Sequence, residues 1–387
     1  MDKRVYFLMI VSFIIGMVEL IISGLLDLIA EDLHVSIGKA GFLITIFSLI
    51  FALASPILLL MTAKVERKKL TLISLLFFLF GNIVSVLSNT YSLLLLGRII
   101  TALSGALLII LCLVMAPTLV EPKYRGRAIG IVSMGVSGSL VLGVPIGLML
   151  GEAFSWKAPF LLIIGLTFLS IIGVIFFMDR LAPKPSVPLG VQLATLKSKK
   201  IFFAHFSTFL YMSGHSVLYT YLKPFVQETM HLNATWISVI FFIFGVAAVS
   251  GGGIGGSFAD ILGTKRTIIT AIIIFSAVIW IIPLTTAILP LFLILLVLWG
   301  IMSWAISPAM QSYLIDASPD TSDIQQSLSN SSLHFGIAFG SFIGGLIIGQ
   351  MSVEYNAVIG GILIVASLGT MYISMKSTLI QEAEVRQ

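Results

Sequence analysis

The sequence predicts an all-α polytopic membrane protein, with 12 transmembrane helices in two pseudo-symmetric six-helix bundles. Composition is the first reason. With 58% hydrophobic and 10% charged residues over 387 positions and a mean hydropathy of +1.11, the chain has too few polar side chains to clothe a soluble globule. Second, its apolar runs are continuous and of bilayer-spanning length. A barrel strand would alternate with period two, and only helices and closed barrels satisfy their own backbone in lipid. Third, the lysines and arginines gather in short clusters between the runs.

The runs cover approximately 5–30, 38–62, 70–90, 92–119, 127–151, 158–178, 201–226, 235–259, 266–288, 290–314, 324–350 and 356–375. An even number of spans returns both termini to one side. Eighteen of the 22 lysines and arginines fall on that side, against Lys39, Lys157 and Lys223 on the other, with Arg98 inside a span. The positive-inside rule then predicts cytoplasmic N- and C-termini. The acidic connection holding Asp316, Asp320 and Asp323 counts little in that rule. Met1–Arg4 and the run after it resemble a signal peptide, but the apolar part is too long and contains Glu19, so it reads as a retained first helix.

The same pattern excludes several function classes. The net charge of +5 is topological, so nucleic acid is not expected as a partner. Cys112, the only cysteine, lies within an apolar span, which leaves neither an intramolecular disulfide nor a cysteine metal cluster. No connection is long enough for a soluble domain and no Walker glycine loop is present, which argues against ATP as the energy source. An enzyme is disfavoured because no metal-ligand cluster or nucleophile–base pairing stands out, and neither metal nor cofactor is expected.

The first span carries Glu19 at its middle and Asp27 near its end. An acidic residue at the centre of a spanning helix costs roughly 2.5–3.5 kcal/mol, so Glu19 reads as functional, the alternative being a carboxylate that only pins two helices together. In the fourth span stands Arg98. At about 1.5 Å per residue, Arg98 lies roughly 10 Å and Glu19 roughly 16 Å below the outer ends of their helices. Pairing of Arg98 with Glu19 and pairing with Asp27 both remain open.

The segment 179–200 contains Pro183, Pro185 and Pro188 and then Lys197, Lys199 and Lys200, the composition of a cytoplasmic linker. It divides the chain into an N-terminal six-helix bundle, 1–178, and a C-terminal one, 201–387. The halves repeat: Leu60–Lys68 after the second span and Gly256–Lys265 after the eighth lie 197 residues apart, counted from Ala63 to Asp260. Two six-helix halves related by an axis along the membrane normal leave this mark.

In the seventh span Tyr211, His215 and Tyr219 share one helical face, and His215 falls within one residue of Glu19 in the repeat register. Aromatic rings stack on planar solutes and an imidazole donates or accepts a hydrogen bond, though an aromatic packing stripe has the same spacing. Trp304 in the tenth span and Asn330 with His334, four apart in the eleventh, complete the candidates for solute binding. Interhelical hydrogen bonding is the commoner use of such amides in membranes.

Gly256–Lys265 resembles the cytoplasmic-loop signature of the major facilitator superfamily, G-x-L-A-D-R-x-G-R-K. The first-half copy is degenerate, with Ala63 at the acidic position and Glu66 where glycine is expected. The resemblance implies a gating charge relay at Asp260 that Ala63 cannot share; a carboxylate at a helix start or between basic loops also gains from the helix dipole. Arg98 stands where family members carry an arginine. In the fifth span Gly135, Gly138, Gly143, Pro145, Gly147 and Gly151 resemble the antiporter signature of the drug:proton antiporter branch, in the variant form Gly143-Val144-Pro145-Ile146-Gly147. From the spacing alone a small-residue helix interface fits as well. Trp156-Lys157-Ala158-Pro159-Phe160 is similar to the family's W-R-x-x-F entry to the sixth span.

Across nearly its whole length the chain resembles that branch, and within it the purine base and ribonucleoside efflux pumps of Gram-positive bacteria. The similarity is carried by Gly16-Met17-Val18-Glu19-Leu20, Gly24–Asp27, Arg98, Gly143–Gly147 and Gly214-His215. It implies a major facilitator fold and a monomeric carrier in the bacterial cytoplasmic membrane. It further implies export of purine bases such as hypoxanthine and adenine, with ribonucleosides, against an inward flow of protons by alternating access. Glu19, Arg98 and Asp27 would couple the proton; Tyr211, His215, Tyr219, Trp304, Asn330 and His334 would bind substrate; Asp260, Gly143, Pro145 and Gly147 would gate. Sugar or multidrug antiport, and import, share most of these elements and stay open.

Overall fold

The computed structural model describes residues 2–62, 64–121, 124–182 and 188–377. Ala63 and the linker prolines Pro183 and Pro185 lie outside the described residues. The described chain is helical throughout; the predicted runs 5–30, 127–151 and 201–226 are each divided between two helices, and the others match one helix, with a 3-10 turn completing 92–119 and 266–288. The first half holds α1 (Lys3–Leu20), α2 (Ile22–Asp32), α3 (Ile37–Met61), α4 (Arg67–Leu87), α5 (Tyr91–Met115), α6 (Arg125–Gly138), α7 (Val144–Ala153) and α8 (Ala158–Phe177). After the short α9 (Leu189–Ala194) come α10 (Lys199–Tyr219), α11 (Leu222–Met230), α12 (Ala234–Leu262), α13 (Thr264–Ile281), α14 (Leu289–Ala317), α15 (Ser322–Ile348) and α16 (Tyr355–Lys376). Among the described residues 10 helices, with α6 and α7 read as one span, are long and apolar enough to cross a membrane, and the bent pair α1–α2 makes 11. Adding α10 with α11, which holds Lys199, Lys200 and two histidines, reaches the predicted 12. Phe176 and Leu284 leave 78% and 81% of their surfaces uncovered. Such exposure is unfavourable in water and costs nothing against lipid tails.

By packing the chain divides into two units, Met1–Ser186 with Leu232–Gly245, and Val187–His231 with Val246–Gln387. In the first, α1 and α2 lie on the glycine face of α6 and α7. A side chain at Gly135 would strike the carbonyl of Met9, one at Gly147 the side chain of Ile21, and one at Gly151 that of Leu25. In the second, α10 lies between α15 and α16. Gly340 faces the carbonyl of Ser213, and Gly214 and Gly360 face each other's carbonyls. Lipid tails are as apolar as leucine, so helices in a membrane gain from close packing rather than from leaving water, and glycine permits the closest approach.

Two local features go beyond the sequence reading. His34 and His231 both adopt positive φ, 50° and 52°, just after α2 and at the end of α11. Each is followed by a cap on the next span: Ser36 Oγ accepts from Lys39 N–H at 3.2 Å, and Asn233 Oδ1 from Trp236 N–H at 3.1 Å. The Glu31–Ser36 and Glu228–Asn233 segments are thus copies of one turn. Lys223, expected in an outer connection, is fully buried within α11. Its place follows from α11 continuing the seventh span beyond a break at Thr220–Tyr221, where the Tyr221 hydroxyl donates to the Ser341 carbonyl at 2.9 Å.

Glu66, the departure from the loop signature, has a structural use. Its carboxylate caps α4 by accepting from Lys68 N–H at 2.8 Å and Lys69 N–H at 2.9 Å, and it accepts from Leu181 N–H at 2.9 Å. Burial pushes the carboxyl up, but the three backbone donors and the Arg180 charge outweigh it and hold Glu66 below the usual carboxylate range. A depressed folded value stabilises at pH above the unfolded value of about 4.3 and loses that contribution as pH falls through the folded one.

Gly340→Ala should destabilise the protein by about 1–3 kcal/mol, because backbone rather than a mobile side chain blocks the new methyl. Gly130→Ala, with nothing within 4 Å of the new atom, should be neutral or stabilising by about 0.4–1 kcal/mol. Thermal unfolding of the two purified variants in one detergent checks the contrast.

Candidate functional site

In the first unit the site is built around a break in the first span. Between α1 and α2 the axis bends by 46° at Ile21. Ser23 Oγ donates to the Leu20 carbonyl at 2.8 Å and Gly24 N–H to the Ile21 carbonyl at 3.0 Å, both shorter steps than an α-helix makes. At the same turn Arg98 Nη1 donates to the Val18 carbonyl at 2.8 Å. Arg98 is completely buried, and its guanidinium carbon sits 4.1 Å from the centroid of the Phe47 ring. Its Nε and Nη2 make no hydrogen bond among the described residues. Glu19, half-buried, follows Val18 directly and feels the Arg98 charge. Of the two pairings left open above, the arrangement brings Arg98 to the Val18–Glu19 peptide. Asp27, also half-buried, lies two turns on in α2.

The fifth span explains its own irregularity. Residues Ser139–Gly143 form a π-helical turn immediately before α7. Pro145 has no N–H to give the Val141 carbonyl and its ring crowds that oxygen; one wider turn relieves both. Gly143 lies against Met17 and Gly147 against Ile21, so these two gating candidates stand along the break in the first span, while Pro145 falls on the other face of its helix. Asp260 is exposed in the last turn of α12, three residues before Gly263 turns the chain at φ 87°. The expected helix-start support is therefore corrected: a carboxylate at a helix C-terminal end gains nothing from the dipole.

In the second unit an aromatic cluster surrounds His215. The Trp299 indole N–H donates to His215 Nδ1 at 3.1 Å. Tyr219 stacks on the imidazole at 5.1 Å between ring centroids, while Trp299 and Trp304 meet it edge-on at 5.6 and 5.4 Å. His215, Tyr219 and Trp299 are buried, and Trp304 is half-buried. Tyr211 and His334 are buried and Asn330 is half-buried. Of the six binding candidates, then, His215, Tyr219 and Trp304 come together. Sequence reasoning missed the part played by Trp299, since its separation of five from Trp304 puts the two on different helix faces; only the size of the rings lets both reach one imidazole. It also missed the bond from His205 Nε2 to Gln325 Oε1, 2.9 Å, beside a cavity of about 70 Å³ lined by Gln311, Gln325 and Gln326.

A model of the Major Facilitator Superfamily matches residues 8–233 and 204–382. The chain belongs to the major facilitator superfamily. It is accordingly a multi-pass membrane transporter rather than an enzyme. The MFS-type transporter YbcL of Bacillus subtilis strain 168, described as uncharacterized, is 33% identical over 99% of this chain and 97% of its own length. A probable sugar efflux transporter of Helicobacter pylori strain J99 is 25% identical over 93% and 92%. Among solved structures the human organic anion transporter MFSD10 superposes with a TM-score of 0.70, covering 95% of this chain and 98% of its own at 15% identity, which shows the shared fold.

Arg98→Lys tests the contact at the break. Lysine keeps the charge but lacks the planar group that lies over Phe47 while donating to Val18. A loss of about 1–2 kcal/mol in thermal stability is expected; a variant as stable as the parent would show that neither contact matters.

Proposed function

We propose that the protein is a proton-coupled exporter of purine bases such as hypoxanthine and adenine, and of purine ribonucleosides, working by alternating access from the bacterial cytoplasmic membrane with both termini cytoplasmic. The observation that carries the coupling half is Arg98, wholly buried with two nitrogen donors unused among the described residues, next to the half-buried Glu19. A buried donor left unmade costs about 1–3 kcal/mol, so such a group has a second state in which it is satisfied. Ionised Glu19 supplies that state, and protonated Glu19 releases it. A proton moving inward yields about 2.3 kcal/mol per 100 mV, and the cycle converts this into export. Asp27 is the second carboxylate on the route, and Asp260, Gly143, Pro145 and Gly147 serve the gates.

The purine half rests on the aromatic cluster at His215, with Tyr211 on α10 and Asn330 and His334 on α15. Flat rings and neutral hydrogen-bonding groups suit a planar heterocycle. The carrier works as a monomer without a cofactor. A second reading, sugar export, is favoured by the name of the Helicobacter pylori relative.

Inverted membrane vesicles with an imposed pH gradient decide among these. Labelled hypoxanthine should accumulate when the lumen is acid, and accumulation of a sugar or lipophilic cation in its place would sink the purine assignment.

Glu19→Gln keeps shape and hydrogen bonding and removes the titratable proton. It should abolish gradient-driven accumulation while leaving substrate counterflow, both normalised to folded protein. Full pH-driven activity in this variant would end the proposal that Glu19 carries the proton.

A further inference from the structure

Where α14 ends and α15 begins, the second unit holds the cavity of about 70 Å³ lined by Gln311, Leu314, Ile315, Gln325 and Gln326. Gln325 and Leu314, each 1% exposed, form its inner side, while Gln326 and Ile315 are exposed and bring it to the surface. Gln325 is held at both atoms of its carboxamide. Its Oε1 accepts from His205 Nε2, on the second turn of α10, at 2.9 Å, and its Nε2 donates to Thr321 Oγ1 at 3.1 Å. A carboxamide has two acceptor and two donor positions, so one of each remains on Gln325. Gln311 Nε2 reaches Ser307 Oγ at 3.5 Å, the long limit of a hydrogen bond. Among the described residues no charged side chain lines the cavity.

We propose that this cavity is a second solute site, a station at the cytoplasmic end of the second unit where cargo is first met, and that it takes one edge of a small, flat, neutral molecule carrying a donor beside an acceptor, such as a lactam. Its place on the route rests on the export reading and on the cytoplasmic termini given above. The volume argues for an edge, since whole drug-sized ligands occupy roughly 300–1,000 Å³ and this space admits the rim of one ring. The remaining donor and acceptor of Gln325 lie in one plane and match a lactam edge at two points, whereas a hydroxyl presents both on a single oxygen. Leu314 and Ile315 supply apolar surface for the ring, and an ionic solute would be buried there without a counter-charge. His205 is the positioning residue: it fixes which way the Gln325 amide faces before a solute arrives.

Cys112, the only cysteine, is buried, so Cys112→Ala gives a background for a single reporter thiol. Gln326→Cys in that background puts the thiol at the exposed rim of the cavity. In inverted vesicles it should react with a membrane-impermeant thiol reagent, and hypoxanthine or uracil should slow the reaction. Adding Gln311→Leu should raise the concentration needed for this protection by about three- to tenfold, the effect of one lost hydrogen bond. Protection unchanged by Gln311→Leu would place the shielding elsewhere and overturn the proposal, as would reaction from the outside of intact cells alone. If vesicles accumulate hypoxanthine and neither base protects the thiol, the site is rejected and the purine reading stands. If hypoxanthine is neither accumulated nor protective, the purine reading fails and uracil decides the site: protection keeps it, and no protection rejects it.

Discussion

The contact on which the first unit turns is the hydrogen bond from Arg98 Nη1 to the Val18 carbonyl. Lipid offers no water to a broken helix, so each carbonyl released at a bend must find a donor within the protein. The first span bends at Ile21, and the donor reaching that turn is a guanidinium from α5 that is itself wholly buried. A lone buried cation would be expensive, and here the cost is offset by a carbonyl, an aromatic face and the neighbouring Glu19. Helix break, buried arginine and half-buried acid therefore form one arrangement, and removing any member leaves another uncompensated. That interdependence is why Glu19 and Arg98 are better tested by separate readouts of folding and of coupling than by loss of transport alone.

Around this point both units use the same packing solution. The broken first span lies on the glycines of α6 and α7, and the broken seventh on those of α15, with Gly214 and Gly360 bringing α10 against α16. Close backbone contact gives dispersion energy without a side chain that must be ordered, a useful property where no hydrophobic driving force exists between helices. It also leaves large side chains on those spans free to point elsewhere, and the His215 cluster occupies that space on α10 toward α13 and α14.

Most of the fold was legible because a bilayer imposes length and composition so strongly that twelve apolar runs define twelve spans. The repeat was legible from the loop after the second and eighth spans. The breaks were not. Nothing in the run from Val5 to Ala30 marks Ile21, because the signals that bend it, Ser23 and Gly24, are common in straight membrane helices as well. The left-handed turns at His34 and His231 were readable in principle from the pairing of Glu31–Ser36 with Glu228–Asn233, which are 197 residues apart. At the candidate site, face arguments joined His215 to Tyr219 and placed Trp304, but Trp299 enters through the reach of its ring. Lys223 was misplaced because charge alone assigned it to a connection, although a lysine stem can be buried when its helix continues past a break.

The buried ionisable groups are distributed unequally, and this bears on what each unit can do. In the first, the half-buried carboxylates Glu19 and Asp27 accompany the buried Arg98. In the second, the buried groups are His205, His215, His334 and Lys223, while the described carboxylates Glu228, Asp260, Glu354 and Asp316 are exposed. An acid that exchanges a proton needs a cation whose approach can be varied, and only the first unit supplies such a pair among its described spans. The second supplies neutral hydrogen-bonding groups and aromatic rings, which suit a planar neutral solute on the function proposed above. On the function proposed above, proton handling and solute recognition draw on different halves of a duplicated chain. The near-coincidence in register of Glu19 with His215 then reads as one position specialised in two directions: an acid beside an arginine in one copy, and an imidazole held by an indole in the other.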